Sequence, residues 1–259
     1  FREKKFVLSF RFILTKFIIP LIQTIIKKFG LKLVRNNDIF FDIKNYFSKK
    51  EDLIILDIGA YRGNSLFAFK EIFPNSFIYS FEPSKINFSK LNENSKELSK
   101  YKTYNLGVSD IDDLKKFNNN SWSETSSFVD LNEYGSKNYY DKRFRYLGTN
   151  ETKSTNLIET ITLDTFLDRE KILKVDILKI DTQGHEKSVL KGVKKSLKAG
   201  KIKSIMIEII LDDYYKSHLN ISDIENLIIE EGFYLYGVYD IIKVPNKRIN
   251  QLDLLYFRN

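Results

Sequence analysis

The segment from Asp57 to Gly63 constrains the fold of this chain more than any other. It reads Asp-Ile-Gly-Ala-Tyr-Arg-Gly and follows the apolar run 53–56, which has the length and composition of a buried strand. The amphipathic stretch 64–73 comes next. Glycines between a buried strand and a helix let the backbone turn sharply and approach a ligand at the helix N-terminus. This order predicts a nucleotide pocket at the carboxyl edge of a parallel sheet.

A second strand-like run, 76–81, ends in Glu82-Pro83, where a carboxylate can accept hydrogen bonds from a ribose diol. These features suit either a dinucleotide or S-adenosylmethionine. Tyr61 stands where dinucleotide folds have their second glycine, and Asp57 would attract a cationic ligand and repel a pyrophosphate. We therefore expect S-adenosylmethionine as the cofactor. Its predicted contacts in these segments are Asp57, Gly59, Ala60, Tyr61, Gly63, Glu82 and Pro83.

Composition narrows the class of protein. At 259 residues the chain can build one sizeable domain, and its lack of cysteine excludes disulfides, thiolate zinc sites and cysteine nucleophiles. Residues 1–50 hold 12 Lys or Arg against 3 Asp or Glu, whereas the remaining 209 residues hold 30 against 31. A nucleic-acid enzyme carries its basic residues across its catalytic face. We therefore expect no nucleic-acid partner.

The basic excess lies in a predicted helical and apolar N-terminal extension, residues 1–50, ahead of a catalytic domain at 51–259. Arg11, Lys16 and Pro20 interrupt its apolar run and make it a poor transmembrane span. Two interpretations stay open. The extension packs on the domain or on a second subunit in a homo-oligomer, or residues 1–35 lie on an anionic membrane surface. The expected location is the cytoplasm, either free or at the inner face of the membrane.

Beyond Glu82, alternating strand and helix patterns predict an α/β fold: a Rossmann-like, mostly parallel seven-stranded sheet with helices on both faces and an antiparallel C-terminal strand. The run 102–108 predicts the third strand. Ser109 and Asp110 follow it and either contact an adenine edge or form an ordinary turn. Residues 111–160 predict an insertion that forms an acceptor wall. Its candidate sugar-stacking residues, which could equally pack the insertion's own core, are Trp122, Tyr139 and Tyr140.

A cluster of titratable residues follows the next two predicted strands: Asp181, His185, Glu186 and Glu208. Methyl transfer to an alcohol needs a linear approach and a group that takes the hydroxyl proton. Asp181 either acts as this base, or holds the acceptor or the cofactor's ammonium while His185 takes the proton. The spacing also permits a divalent metal on Asp181, Glu208 and one of Asp212 and Asp213. We do not favour this and predict no metal ligands.

Several of these segments resemble the FkbM-type S-adenosylmethionine-dependent methyltransferases. The likeness covers roughly residues 50–258 and is carried by 55–60, 81–83, 107–110, the Lys-Ile-Asp-x-x-Gly-x-Glu motif at 179–186 and Val-Leu-Lys-Gly at 189–192. The resemblance implies a class I methyltransferase sheet and O-methylation, commonly of sugars in cell-surface glycans or of natural products. The family's Gln-x-Asp-x-x-Phe-like ending is approximated from Gln251 to Tyr256. It implies that Asp253 reaches the acceptor site.

The sequence thus predicts an O-methyltransferase acting on a sugar hydroxyl, in a bacterial surface polysaccharide or its nucleotide- or lipid-linked precursor. Two alternatives come from other classes. A NAD-dependent sugar oxidoreductase would share the glycine turn and the acid, but needs a Tyr-x-x-x-Lys or comparable pair that we do not find at a strand end. A non-catalytic scaffold would keep the fold and bind a glycan without turnover.

Overall fold

A seven-stranded sheet is the framework of the computed structural model, which describes residues 38–137, 139–140, 146–216, 220–243 and 249–259. Its strands are β1 (Ile54–Ile58), β2 (Phe77–Phe81), β3 (Tyr101–Tyr104), β9 (Val175–Ile180), β10 (Ile202–Ile210), β11 (Phe233–Lys243) and β12 (Ile249–Arg258). They lie in the order β3-β2-β1-β9-β10-β12-β11. Only β12 runs antiparallel to its neighbours. This confirms the predicted mostly parallel sheet with an antiparallel C-terminal strand.

Helices cover the sheet: α1 (Ile39–Tyr46), α2 (Asn64–Ile72), α3 (Lys85–Ser95), α5 (Leu163–Arg169), α6 (Glu186–Gly192), α7 (Lys194–Lys198) and α8 (Ile221–Ile228). Their starts follow from local sequence. Ser84 caps α3, because its hydroxyl accepts from the Asn87 amide, and Thr162 caps α5 in the same way. Residues 186–198 form two short helices, α6 and α7, that meet at Val193.

The apolar core forms two clusters because side chains alternate across β1. Ile55 packs in one cluster with α1, α2 and α3, whereas Leu56 and Ile58 pack in the other with α5, α6, α7 and α8. The sheet is therefore buried between two helical layers. Within residues 38–50, Ile39 and Ile43 of α1 are buried in the first cluster. The membrane and oligomer predictions for residues 1–35 lie outside the described residues.

A salt bridge ties the first loop to the amino edge of the sheet. Asp176 is buried and accepts from Lys50 Nζ at 2.6 and 2.7 Å. Its carboxylate also accepts from the Ile54 amide at 3.0 Å. The start of β1 is thereby held against the start of β9.

Residues 111–160 contain regular secondary structure. A second sheet has the order β4-β8-β5, with β4 (Gly107–Val108), β5 (Asp113–Asn120) and β8 (Thr152–Ile161). A 3₁₀ helix (Ser123–Thr125), α4 (Glu133–Lys137) and the pair β6 (Tyr139–Tyr140) and β7 (Tyr146–Gly148) complete the region. The predicted third strand at 102–108 is wrong at its end, because β3 stops at Tyr104 and 107–108 pair with Thr160 and Ile161.

Across the part of the chain that the structure describes, no helix combines the length and the apolar character that a membrane crossing needs. This finding does not extend to residues 1–37.

The aromatic contact between α5 and the sheet generates the first prediction. The Phe166 ring lies 4.8 Å from Phe81 and 5.2 Å from Tyr104, both in edge-to-face geometry, and is buried. Phe166→Ala should lower the free energy of unfolding by about 3–5 kcal/mol because it removes these contacts and leaves a cavity. Urea unfolding followed by circular dichroism measures the loss.

The matched control is Leu173→Ala, since Leu173 is 81% exposed. Its free energy of unfolding should stay within about 0.5 kcal/mol of the parent. Equal losses in the two variants would contradict the role of the Phe166 cluster.

Candidate functional site

A cavity of about 600 Å³ opens where β1, β2, β9 and β10 end. Its volume is in the usual range for a small-molecule site. One wall is apolar and includes Phe81, Leu106, Val108, Phe117 and Phe128. The opposite end is polar, with carboxylates and amides near the ends of β9 and β10 and the start of β12. A site of this shape can hold a flat aromatic group at one end and a hydroxylated group at the other.

The glycine turn after β1 forms part of the floor. Gly59 has φ +78°, and a Cβ there would lie 1.8 Å from the Asp181 carbonyl oxygen. The amides of Gly59 and Ala60 both donate to the Phe81 carbonyl, at 3.1 and 3.0 Å. Tyr61 follows with φ +51°. Only glycine fits at 59, since both the backbone angle and the space exclude a side chain.

Glu82 is buried in the cavity wall at the end of β2. Its two carboxylate oxygens accept from the amides of Tyr61 and Ser84, at 2.9 and 2.8 Å. Burial raises the pKa of Glu82 to about 8, although both amide bonds and the Lys179 charge oppose the rise. Two ribose hydroxyls would add donors to this carboxylate and favour its charged form. Glu82 is therefore suited to hold a ribose.

Lys179 links two carboxylates beneath the cavity. Its Nζ lies 3.2 Å from Asp57 Oδ1 and 3.5 Å from Asp181 Oδ2, and it donates to the Gly59 carbonyl at 2.9 Å. Burial lowers the pKa of Lys179, but the charges of Asp57 and Asp181 outweigh it and raise that pKa. Asp57 is fully buried, also accepts from Ser65 Oγ at 2.7 Å, and does not line the cavity. The Asp181 side chain keeps 34% exposure and does line it.

Gln183 holds the acids of the polar end in place. Its Nε2 donates to Asp181 Oδ1 at 3.1 Å and to Glu208 Oε2 at 2.6 Å. Glu208 Oε1 accepts from Gln251 Nε2 at 3.0 Å, and Gln183 Oε1 accepts from the Tyr215 hydroxyl at 3.0 Å. Both hydrogens of the Gln183 amide are thus used on carboxylates. The network fixes the directions of the Asp181 and Glu208 side chains.

His185 does not line the cavity. It is buried, its Nε2 lies 3.0 Å from Ser109 Oγ, and its ring packs 4.9 Å from the Phe128 ring. Burial lowers the pKa of His185 to about 4. Lys115 donates to Ser109 and to Asp110, and its hydrogen bond lowers the pKa of Asp110 to about 2. These contacts direct His185, Ser109 and Asp110 toward one another and away from the cavity.

Glu186 is buried at the first position of α6 and also lies outside the cavity lining. Its Oε1 accepts from the amides of Thr182 and Gly184, both at 3.0 Å, and from the Thr182 hydroxyl at 3.1 Å. Burial raises its pKa, and the amide bonds oppose the rise. A carboxylate with these partners organises the loop between β9 and α6.

The insertion covers the glycine turn. The hydroxyls of Tyr61 and Ser123 lie 3.0 Å apart, and Asn87 Nδ2 donates to the Ser123 carbonyl at 3.3 Å. Trp122, a predicted sugar platform, lies outside the cavity lining, and its amide donates to Asn150 Oδ1 at 3.3 Å. The other predicted platforms, Tyr139 and Tyr140, form β6, and the structure does not describe their side chains.

The structure brings some of the predicted site residues together and separates others. Those that line the cavity are Gly59, Ala60, Tyr61, Glu82, Pro83, Asp181, Glu208 and Asp253. Those placed behind or beside it are Asp57, Gly63, Ser109, Asp110, Trp122, His185 and Glu186. Among the described residues, no group of three or more histidine, aspartate or glutamate side chains is arranged to hold a metal ion.

Sequence reasoning missed Lys179, Gln183 and Gln251 as site residues. Lys179 had a signal, because it stands two residues before Asp181 and therefore on the same face of its strand. Gln251 stands two residues before Asp253 and had the same signal. Gln183 had none, since its position depends on a left-handed φ of +57° in the loop after β9.

The contact between Gly59 and Asp181 generates the second prediction. Gly59→Ala should lower the free energy of unfolding by about 3 kcal/mol or more, because the new Cβ meets a backbone carbonyl that cannot move alone. Gly148→Ala is the control: it has φ +97°, but its Cβ would meet nothing within 4 Å. It should cost only about 1 kcal/mol, for the backbone angle. Equal losses in urea unfolding would show that the contact is unimportant.

Known proteins resemble the chain in sequence and in structure. It is 25% identical to the 2-O-methyltransferase NoeI of Sinorhizobium fredii over an alignment of 184 residues. This alignment covers 70% of this chain and 72% of that protein. An rRNA methylase from Streptococcus thermophilus is similar with a TM-score of 0.47 and 9% identity, over 87% of this chain and 99% of that one. A precorrin-6y C5,15-methyltransferase from Geobacter metallireducens has a TM-score of 0.45 and 11% identity, over 87% and 90%.

The methyltransferase FkbM domain matches residues 57–235, which is more than half of the chain. The match begins at the glycine turn and includes Glu82, Asp181 and Glu208. It agrees with the strand order and with the resemblance carried by the motifs, and it sets the NAD-dependent alternative aside. The chain belongs to the FkbM family of S-adenosylmethionine-dependent methyltransferases.

Proposed function

We propose that the protein transfers the methyl group of S-adenosylmethionine to a hydroxyl of a sugar, in a bacterial surface polysaccharide or its nucleotide- or lipid-linked precursor. The observation that carries this proposal is that one cavity joins a ribose-binding end to a carboxylate-and-amide end. The similarity to NoeI, a 2-O-methyltransferase, supports oxygen as the acceptor atom.

The residues of the first end fit the cofactor. The glycine turn lines the cavity, and the Glu82 carboxylate beside it is suited to accept hydrogen bonds from ribose hydroxyls. The apolar wall around Phe81 and Val108 suits an adenine ring. When bound, S-adenosylmethionine supplies a methyl group on a sulfonium, which is electrophilic. Glu82 would orient the cofactor with respect to the polar end.

The polar end suits a hydroxylated acceptor. Carboxylates and side-chain amides accept and donate hydrogen bonds to neighbouring hydroxyls, and Glu208 and Gln251 are held together at 3.0 Å. Asp253 lies opposite Glu208 in the pairing of β10 with β12. Tyr214 and Tyr215 also contribute to the lining of this region. Asp253 therefore stays a predicted acceptor contact.

We assign the proton transfer to Asp181. Its carboxylate lines the cavity and is held from two sides by Gln183 and Lys179. When bound, the cofactor would supply the methyl group and leave as S-adenosylhomocysteine, and Asp181 would accept the proton of the acceptor hydroxyl. Glu208 is held in place by the Gln183 amide, which also contacts Asp181. From this position Glu208 orients the acceptor. The alternative base, His185, has its Nε2 directed to Ser109.

Asp181→Asn generates the third prediction. The variant should lower the rate of methyl transfer by about 100-fold or more because it removes the base, while cofactor affinity changes by less than about threefold. The rate is measured as S-adenosylhomocysteine formed with a panel of methyl glycosides of neutral hexoses and deoxyhexoses. Mass spectrometry locates the added methyl group. Cofactor affinity is measured by calorimetry.

Glu71→Gln serves as the control, because Glu71 is on the exposed side of α2 and outside the cavity lining. It should leave both quantities unchanged. A rate for Asp181→Asn within about threefold of the parent would remove Asp181 from the mechanism. Cofactor binding without methylation of any sugar in the panel would contradict the sugar acceptor.

A further inference from the structure

Lys179 is a buried cation at the boundary between the two ends of the cavity. It lies on β9 directly beside Asp57 of β1 in the strand register, and two residues before Asp181. Its Nζ reaches three groups: Asp57 Oδ1, the Gly59 carbonyl and Asp181 Oδ2, at 3.2, 2.9 and 3.5 Å. One ammonium group therefore contacts both the cofactor turn and the proposed base.

Lys179 makes more contacts than it would need if it served only as the counter-ion of Asp57. A buried ammonium is costly unless it is paired and its hydrogens are used, and Asp57 is a fully buried partner. The additional hydrogen bond to Gly59 fixes the carbonyl of the turn residue that lies against Asp181. The contact with Asp181 reaches a carboxylate that lines the cavity. Two of the three contacts thus serve the site.

We propose that Lys179 is a positioning residue that holds the cofactor turn and the Asp181 carboxylate in fixed relation and keeps that carboxylate charged. This inference rests on the proposed function, in which Asp181 takes the proton. It gives the lysine of the Lys-Ile-Asp motif a role in both cofactor binding and proton transfer, although it transfers no group itself.

The charges that face Lys179 determine the sign of its effect on pH dependence. Asp57 faces it from β1, Glu82 from β2, Asp181 from the end of its own strand and Glu208 from β10. A nearby cation favours the ionised form of a carboxylate. Removing the cation should therefore move the acid limb of the pH–rate profile to higher pH, because Asp181 must be ionised to accept a proton.

The experiment compares Lys179→Met, Lys179→Arg and the double variant Asp57→Asn/Lys179→Met. The methionine variant keeps the volume but leaves Asp57 buried without its cation, so loss of stability is expected. The double variant removes both charges and should recover thermal stability. It separates the structural need for a counter-ion from the effect on Asp181. Lys187→Met is the control, since Lys187 is an exposed lysine paired with Asp223.

Three quantities are measured in the full chain: thermal stability, S-adenosylmethionine affinity by calorimetry, and the pH–rate profile with the methyl glycoside panel. In the double variant we expect recovered stability, cofactor binding about tenfold weaker than in the parent, and an acid limb raised by about one pH unit. Lys179→Arg should keep the acid limb of the parent, because it keeps the charge. Lys187→Met should match the parent throughout.

The double variant could recover the parent's cofactor affinity and pH–rate profile together with its thermal stability. That result would overturn the inference and leave Lys179 as a counter-ion only. If the parent protein methylates no sugar, the proposed function fails, and cofactor binding alone then decides the inference. Unchanged affinity in the stable double variant would overturn it. Weakened affinity would retain the link between Lys179 and the cofactor turn.

Discussion

The close approach of β1 and β9 at their carboxyl ends is the constraint on which the site depends. Gly59 lies against the Asp181 carbonyl with no space for a Cβ, and the Asp181 amide donates to the Ile58 carbonyl at 3.0 Å. Both residues directly follow buried parallel strands, so neither can move without its strand. Methyl transfer needs the reacting atoms held near a straight line. Adjacent strands supply that rigidity at the cofactor turn and at the acceptor carboxylate together.

Buried charges are paired at both edges of the same two strands. At the amino edge Asp176 binds Lys50, and at the carboxyl edge Asp57 lies beside Lys179. Each pair joins β9 to the β1 region. The pairing also changes the chemical reading of Asp57. A carboxylate that is fully buried behind the turn and balanced by a lysine cannot contact a sulfonium directly.

The sheet, the glycine turn and the Glu82 position could be predicted because each depends on a short local pattern. The two-residue strand Gly107–Val108 could not, because its partner strand ends at Ile161 and long-range pairing leaves no local signal. The titratable residues after β9 show a similar limit. Topology places His185 and Glu186 at the right edge, but their side chains bond to Ser109 and to the loop amides. A strand-end position fixes the edge of the sheet and leaves the direction of the side chain open.

The insertion completes the site because it contacts both ends of the cavity. At the cofactor end Ser123 lies 3.0 Å from the Tyr61 hydroxyl. At the polar end the single hydroxyl hydrogen of Tyr215 is shared between the Thr125 carbonyl and Gln183 Oε1. The sheet therefore fixes the groups to which we assign the transfer, while the insertion contacts both ends of the cavity that they line. A change in the insertion can alter which acceptor enters without moving Asp181, since that residue is held by the strands and by Lys179.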